Sequence, residues 1–201
     1  MSANKLAEIK DDSLELAKQY SQSDFTPKAF KGKEANALIA VDIAKRSGAP
    51  VLEVMNNIYI DERSGRIGFQ APYAISMANR IGPFTGLIDW EEEKLDGDIA
   101  VSAFATLNGK KVSSPKITRK MAKDAGWMNH SKGMKPVWIA QPAQMLRYKA
   151  ALMLIKAYCA EVMFGMKTDI ELEIIANQEE PKTNSNAAVE EMTIKVESDN
   201  A

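Results

Sequence analysis

The sequence predicts an α+β fold: a small antiparallel sheet with a β-hairpin, packed on helices around one long central buried helix. The segment 141–166 is apolar over most of its length and has a proline at its second position, which suits the first turn of a helix. Residues 99–107 alternate so that Ile99, Val101, Ala103, Ala105 and Leu107 share one face of a strand. The dipeptide Asn108-Gly109 is a strong signal for a two-residue hairpin turn.

Turn signals and hydrophobic spacing divide the rest of the chain into shorter elements. Helices are predicted over 3–20, 34–47, 50–56, 71–80 and 119–125, the last between Thr118 as N-cap and Gly126 as stop. Strands are predicted over 57–61, 66–70, 84–94 and 99–107, with a third strand of the sheet from Lys110. The segment 127–138 is predicted to be an ordered loop.

Three regions follow from this pattern. Residues 1–24 form an N-terminal helix whose apolar stripe is imperfect, which suits either a mobile helix or a contact for a neighbouring subunit. Residues 25–175 form the core domain. Residues 176–201 carry six carboxylates against two lysines and few large apolar side chains, so we expect an acidic, disordered tail.

The composition is that of an ordinary soluble globular protein of 201 residues with a formal net charge of −1. Its one cysteine, Cys159, falls in the buried helix and has no disulfide partner within the chain, which fits a reducing compartment. The first residues lack the apolar segment of a signal peptide, and no apolar run approaches the roughly 18 residues of a membrane span. We therefore expect a cytoplasmic protein with no membrane partner.

Positive charge is concentrated in one part of the chain. The span from Lys110 to Lys156 has eleven lysines and arginines against one carboxylate, Asp124, a net charge of +10. The balancing acids fall elsewhere in the sequence, in 89–98 and from Asp169 onward. Segregated charge of this kind predicts a basic face that binds a polyanion. The alternative is a solvated surface on which acids and cations become neighbours in three dimensions.

Two cations of the central helix point in one direction. At about 100° per residue, Lys149 and Lys156 lie within about 20° of each other, and Arg147 points to roughly the opposite side. Binding of a nucleic-acid strand needs cations along its phosphates and aromatic side chains that orient it. The candidate DNA-binding residues are Lys149, Lys156, Arg147, Lys132, Lys135, Lys110, Lys111, Lys116, Arg119, Lys120, Arg66 and Trp127.

Some of these candidates have structural alternatives. Arg147 equally suits an internal ion pair. Trp127 and Trp138 could both stack on bases, but packing against the central helix is the favoured interpretation, because tryptophan usually buries area first. Arg66 is at a predicted hairpin turn, where exposed cations are common.

An acidic cluster supports a different function. Residues 89–98 contain the fragment Glu92-Glu93-Lys94, which fits the (D/E)-x-K pattern of some metal-dependent nucleases. The fragment is short, and acids around a hairpin turn are usually solvated. The sequence has no phosphate-binding loop of the G-x-x-x-x-G-K-[ST] kind, so ATP hydrolysis lacks its usual apparatus. We predict no catalytic, metal-binding or cofactor-binding residue.

A family resemblance rests on the central helix. Its residues are Pro142, the run Met145-Leu146-Arg147-Tyr148-Lys149-Ala150, Lys156, Phe164-Gly165 and the acidic Asp169, Glu171 and Glu173, with weaker matches upstream at Trp138, Ile58-Tyr59-Ile60 and Phe84-Thr85-Gly86. Over residues 25–175 the chain resembles the Red-beta/RecT superfamily of phage single-strand annealing proteins. One departure is Ala143-Gln144, where some members carry basic residues.

The resemblance implies a function without covalent chemistry, ATP or cofactors. Subunits would assemble into a homo-oligomeric ring or helical filament, bind single-stranded DNA and anneal complementary strands through a duplex intermediate, in phage recombination within a bacterial host cell. Lys149 and Lys156 match the family's DNA-contacting positions, and Arg66 lies in the hairpin whose counterpart in the family looks like a finger against the DNA. The implied partners are a phage 5′→3′ exonuclease or a host single-strand-binding protein. The alternatives are the metal-dependent nuclease and a passive single-stranded DNA-binding protein.

Overall fold

A computed structural model describes residues 3–60, 65–130, 133–134 and 136–179. The fold is α+β, as predicted, with small sheets packed against helices. Arg63, Lys132, Lys135 and most of the expected acidic tail, residues 180–201, lie outside the described residues. Within those residues, no helix combines the length and the apolar character needed to cross a membrane.

The helices in the described ranges are α1 (Ala3–Gln22), α2 (Glu34–Ser47), α3 (Val51–Asn57), α4 (Ala71–Ile81), α5 (Arg119–Asp124), α6 (Pro136–Ala140), α7 (Pro142–Tyr158) and α8 (Asp169–Glu179), with a 3-10 helix at Ala160–Met163. The strands are β1 (Ile58–Ile60), β2 (Ile67–Phe69), β3 (Thr85–Leu95), β4 (Asp98–Leu107), β5 (Lys110–Ser113), β6 (Ile117–Thr118), β7 (Asn129–His130), β8 (Gly133–Met134) and β9 (Lys167–Thr168).

The main sheet is antiparallel, with β4 between β3 on one side and β5 and β6 on the other. Val101, Ala103 and Ala105 are buried on the face that packs against α7, so the predicted alternation is confirmed. The predicted turn is also confirmed: Asn108 has φ 51° and Gly109 has φ 74°, the left-handed pair that a tight hairpin requires.

Helix α7 is the centre of the core. It packs against β4 on one side and against α4 on the other. Leu146, Ala150 and Leu154 are completely buried, which confirms the prediction of a buried central helix.

The central helix is shorter than the sequence predicts. It ends at Tyr158 instead of Met166, because Cys159 has an extended φ of −155° and the chain continues as a 3-10 helix. Cys159, Val162 and Met163 stay buried through this change. A buried 3-10 turn and a buried α-helix have the same apolar composition, so periodicity alone does not separate them.

The second sheet combines a predicted hairpin with an unpredicted strand. β1 pairs with β2 antiparallel, as expected, but β9 pairs with β2 in parallel, with Gly68 opposite Lys167 and Phe69 opposite Thr168. Phe69 and Thr168 are completely buried. The segment 127–138 also differs from the predicted loop, because it contains β7, β8 and the start of α6.

The N-terminal helix α1 packs mainly against α2. Ala17 is buried in this contact, whereas Leu14 is 55% exposed. The role of α1 as a contact for a neighbouring subunit stays a prediction.

Two side chains, those of Thr118 and Asp98, cap the N-terminus of helix α5. The Thr118 hydroxyl accepts from the Met121 N–H, as predicted, at 3.0 Å. The Asp98 carboxylate accepts from the backbone N–H groups of Arg119 at 3.1 Å and Lys120 at 3.0 Å, and from its neighbour Ile99 at 2.7 Å. Burial alone would raise the pKa of Asp98, but these hydrogen bonds and the Arg119 charge hold that pKa below its usual value.

Replacement of this cap gives a prediction with a defined pH dependence. Asp98→Ala should lower the free energy of unfolding by about 1 kcal/mol at pH 7. Since the folded-state pKa is depressed, the stabilisation is present above the unfolded-state pKa of about 3.9 and is lost as the pH falls through the folded-state pKa. Urea denaturation of parent and variant, at pH values from 7 down through the folded-state pKa, measures this difference in unfolding free energy. Asp96→Ala in the same hairpin is the control. A difference that does not change with pH would contradict the assignment.

Candidate nucleic-acid interface

The three cations of α7 have separate environments. Arg147 forms an ion pair with Glu92 of β3, at 2.5 Å, and its backbone carbonyl accepts from the Trp90 indole N–H at 2.9 Å. The structure therefore contains the internal ion pair that was the alternative for Arg147. The arginine side chain remains 42% exposed.

Lys149 is buried, with 7% of its surface exposed. Its ammonium nitrogen lies 4.2 Å from the centroid of the Trp127 ring, a cation–π contact. Trp127 lies three residues after the end of α5 and is half-buried. Trp138, in contrast, is 1% exposed and serves only the core. Of the two tryptophans, only Trp127 has a surface that a nucleobase can reach.

Lys156 contacts the Glu171 carboxylate of α8. Burial lowers the pKa of the Lys156 amine, and the positive charge of Lys167 acts in the same direction. Lys149 and Lys156 thus lie on one stripe of α7, as predicted, but each has a different neighbour within the chain.

The cations of the main sheet are paired with the acidic cluster. Lys111 of β5 contacts Glu91 of β3 at 2.5 Å, and Lys116 contacts Glu93 at 2.6 Å. Both pairs span β4 on the sheet face opposite α7, and the hydrogen bond to Glu93 raises the pKa of Lys116. The acids of 89–98 lie elsewhere in the sequence, but antiparallel pairing brings them beside 110–116, so this part of the chain does not form the predicted basic face. The mixed surface that was the alternative describes this face.

The cations around α5 are more exposed. Lys120 pairs with Asp124 of the same helix at 2.5 Å, and Arg119 lies close enough to Asp98 to affect its pKa. Lys110 and Lys123 are exposed and form no ion pair with any residue that the structure describes. The α5 end of β4 therefore combines exposed positive charge with the half-buried Trp127, whereas Lys110 pairs opposite Leu107 at the other end of this strand.

Two cations that the sequence did not indicate lie near the second sheet. The Arg46 guanidinium carbon is 4.6 Å from the centroid of the Phe164 ring, and Lys167 begins β9. In the sequence, Arg46 looks like an ordinary cation in the last turn of a helix, and Lys167 follows the apolar stretch without a motif. Only the parallel pairing of β9 with β2 brings Lys167 near Arg66, which immediately precedes β2.

The acidic cluster does not converge. Glu91 and Glu93 lie on one face of β3, and Glu92 lies on the other with Arg147. In the described ranges, no group of three or more histidine, cysteine, aspartate or glutamate side chains is arranged to hold a metal ion. The geometry gives the nuclease alternative no support.

Cys159 is also unsuited to nucleophilic chemistry. Burial, aided by the negative charge of Glu161, raises the pKa of its thiol to about 11. The thiol therefore remains protonated at neutral pH and acts as a small apolar side chain.

The chain matches no family model, no curated protein and no solved structure. The resemblance to the Red-beta/RecT superfamily consequently depends on the motif residues of α7 and their flanking segments.

Proposed function

We propose that this protein binds single-stranded DNA and anneals complementary strands without ATP, as a homo-oligomeric ring or helical filament of the Red-beta/RecT type. It would act in the cytoplasm of a phage-infected bacterial cell, beside a 5′→3′ exonuclease or a host single-strand-binding protein. The observation that carries the proposal is the contact between Lys149 and Trp127. It joins the motif helix to a half-buried aromatic ring beside the basic helix α5.

The contact suits strand binding for a physical reason. Proteins that bind single strands without sequence preference stack bases on aromatic rings and hold the phosphates with nearby cations. Lys149 fixes one face of Trp127, which lowers the entropy cost of presenting the ring to a base. Exposed Lys123 of α5 supplies positive charge for the backbone close to Trp127.

The ion pairs of the main sheet suit a reversible interaction. Exposed pairs such as Lys111–Glu91 contribute at most about 1 kcal/mol, so phosphate groups can compete with their carboxylates. Bound strands would then be held mainly by counterion release, with steep salt dependence and little base preference. Watson–Crick pairing between the two strands would provide all sequence recognition.

The test is annealing of two dye-labelled complementary oligonucleotides in the absence of ATP, with a scrambled second strand as the control. We expect pairing to accelerate only with the complementary strand and the acceleration to fade as salt rises. Tight binding without acceleration would instead identify a passive single-strand-binding protein. Cleavage in Mg²⁺ that EDTA abolishes would identify a nuclease.

The paired carboxylates give a further prediction. The double variant Glu91→Gln/Glu93→Gln frees Lys111 and Lys116. Each added phosphate contact steepens the slope of log affinity against log salt by about 0.7. Affinity for single-stranded DNA should therefore rise by up to about 25-fold at 0.1 M salt. Glu15→Gln/Glu34→Gln removes the same charge from α1 and α2 and should change binding much less. Equal affinity for both double variants would show that only net charge matters.

A further inference from the structure

Four cations from distant parts of the chain lie on, or contact, the segments that lead into and out of the β2–β9 pair. We call them the junction patch: Arg46, Arg66, Lys156 and Lys167. Arg46 is in the last turn of α2, and Lys156 is in the last turn of α7. Arg66 precedes β2, and Lys167 begins β9. Only Arg66 and Lys156 are sequence-predicted candidates, so the fold alone assembles this patch.

The strand register places two of these cations on one side of the sheet. Lys167 is opposite Gly68 in the parallel pair, and Arg66 is two residues before Gly68. Paired residues of parallel strands, and residues two apart on one strand, point to the same face. At about 3.3 Å per residue and about 4.8 Å between strands, the Cα atoms of Arg66 and Lys167 are about 8 Å apart. Both residues are exposed.

A turn with unusual backbone geometry positions a third cation. Phe164 has φ 49° and Gly165 has φ 77°, two successive residues in the left-handed region. A bulky aromatic residue pays a steric cost there, which surrounding structure must offset. The turn places the Phe164 ring against the Arg46 guanidinium, so Phe164 acts as a positioning residue for that cation.

The charges in the patch are only partly balanced. Lys156 contacts Glu171, and Arg46 pairs with Asp42 at 3.2 Å, whereas Lys167 forms no ion pair with a described residue. The side chains of Lys156 and Arg46 remain 48% and 50% exposed. Burial lowers the pKa of the Lys156 amine and the positive charge of Lys167 lowers it further, which fits two like charges held near each other. An anion placed between them would relieve this repulsion.

The patch continues the line of cations on α7. Lys156 is seven residues after Lys149, about 10 Å along the helix axis. Phosphates of one DNA strand are about 3.4 Å apart along a B-form helix axis, so about three phosphates span this distance. A strand that stacks on Trp127 can therefore reach the junction patch within a few nucleotides.

We propose that the junction patch is a phosphate-binding site for the nucleic-acid backbone, with Lys167 and Arg46 as direct contacts. The proposal rests on the single-stranded DNA binding proposed above. It adds two binding residues that lie outside the motif segments and extends the DNA path from α7 to the second sheet.

The test compares single-stranded DNA affinity across a salt series for Lys167→Gln, Arg46→Gln and their combination. Each single change removes about one phosphate contact, so we expect about fivefold weaker binding at 0.1 M salt, a salt slope shallower by about 0.7, and a larger loss in the double variant. Lys167→Arg should retain binding. Lys28→Gln, which removes an exposed cation from the loop between α1 and α2, is the matched control.

The outcomes separate the two proposals. If the parent binds no DNA, the proposed function fails. If the parent binds and anneals DNA but both junction variants behave like Lys28→Gln, the junction proposal alone is overturned. Inorganic phosphate tests whether the junction patch binds a free phosphate ligand instead of the phosphates of the nucleic-acid backbone. If phosphate raises the melting temperature of the parent but not of the double variant, while DNA affinity is equal in both, the patch binds a small phosphate ligand and the backbone role is wrong.

Discussion

Replacing Gly68 with alanine should cause the largest loss of stability of any small substitution in the second sheet. An added Cβ would lie 2.4 Å from the Lys167 carbonyl oxygen and 2.9 Å from the Leu172 Cδ1 atom. The first of these contacts is with backbone, so β2 and β9 would have to separate. Overpacking against rigid neighbours costs about 1–3 kcal/mol and sometimes more. We expect Gly68→Ala to lower the free energy of unfolding by about 3 kcal/mol in chemical denaturation.

The matched control is Gly65→Ala in the same hairpin. A Cβ at Gly65 meets no atom within 4 Å, and this residue has φ 67°. Its replacement therefore costs only the left-handed conformation, about 1–2 kcal/mol. If Gly68→Ala were as stable as the parent, the parallel pairing of β9 would be wrong, and the junction patch would lose its geometric basis.

Replacing Trp127 with leucine should weaken single-stranded DNA binding more than any single change on α5 or α7. Stacking of a base on an aromatic ring contributes about 1–3 kcal/mol, so affinity should fall by about 5- to 150-fold at constant salt. Because Trp127 is half-buried, leucine should preserve the fold. Fluorescence anisotropy of a labelled oligonucleotide measures the change. Trp138→Phe is the control, because this buried ring should affect stability without affecting DNA affinity.

The role of Lys149 can be separated from that of Trp127 by the salt dependence. The sequence predicts that Lys149→Ala and Lys156→Ala each weaken binding and reduce the salt slope by about one unit. Burial of the Lys149 amine against the ring suggests another outcome for this residue. Lys149→Met keeps the aliphatic stem and removes the charge. Loss of affinity with an unchanged slope would make Lys149 a positioning residue for Trp127, whereas a shallower slope would make it a phosphate contact.

Binding by Trp127→Leu that equals the parent would remove the observation on which the proposed function rests. The chain would then share only motif residues with the annealing family.

The sequence by itself determined the features that depend on neighbours a few residues apart. The alternation of β4, the Asn108-Gly109 turn and the Thr118 cap all follow from local conformational preference and short hydrogen bonds. The burial of α7 was equally predictable, because an apolar surface around most of a helix has to be covered.

The tertiary structure decided how the charged side chains combine. Glu92 and Arg147 are 55 residues apart, and Glu91 and Lys111 are 20 apart, so strand register and helix packing, not sequence spacing, make them neighbours. Tertiary packing also decides the contact of Lys149 with Trp127, the end of α7 at Tyr158 and the position of Lys167 beside β2. Electrostatic and cation–π contacts depend on distances of a few ångströms between side chains. Those distances are set only when the sheets and helices have packed.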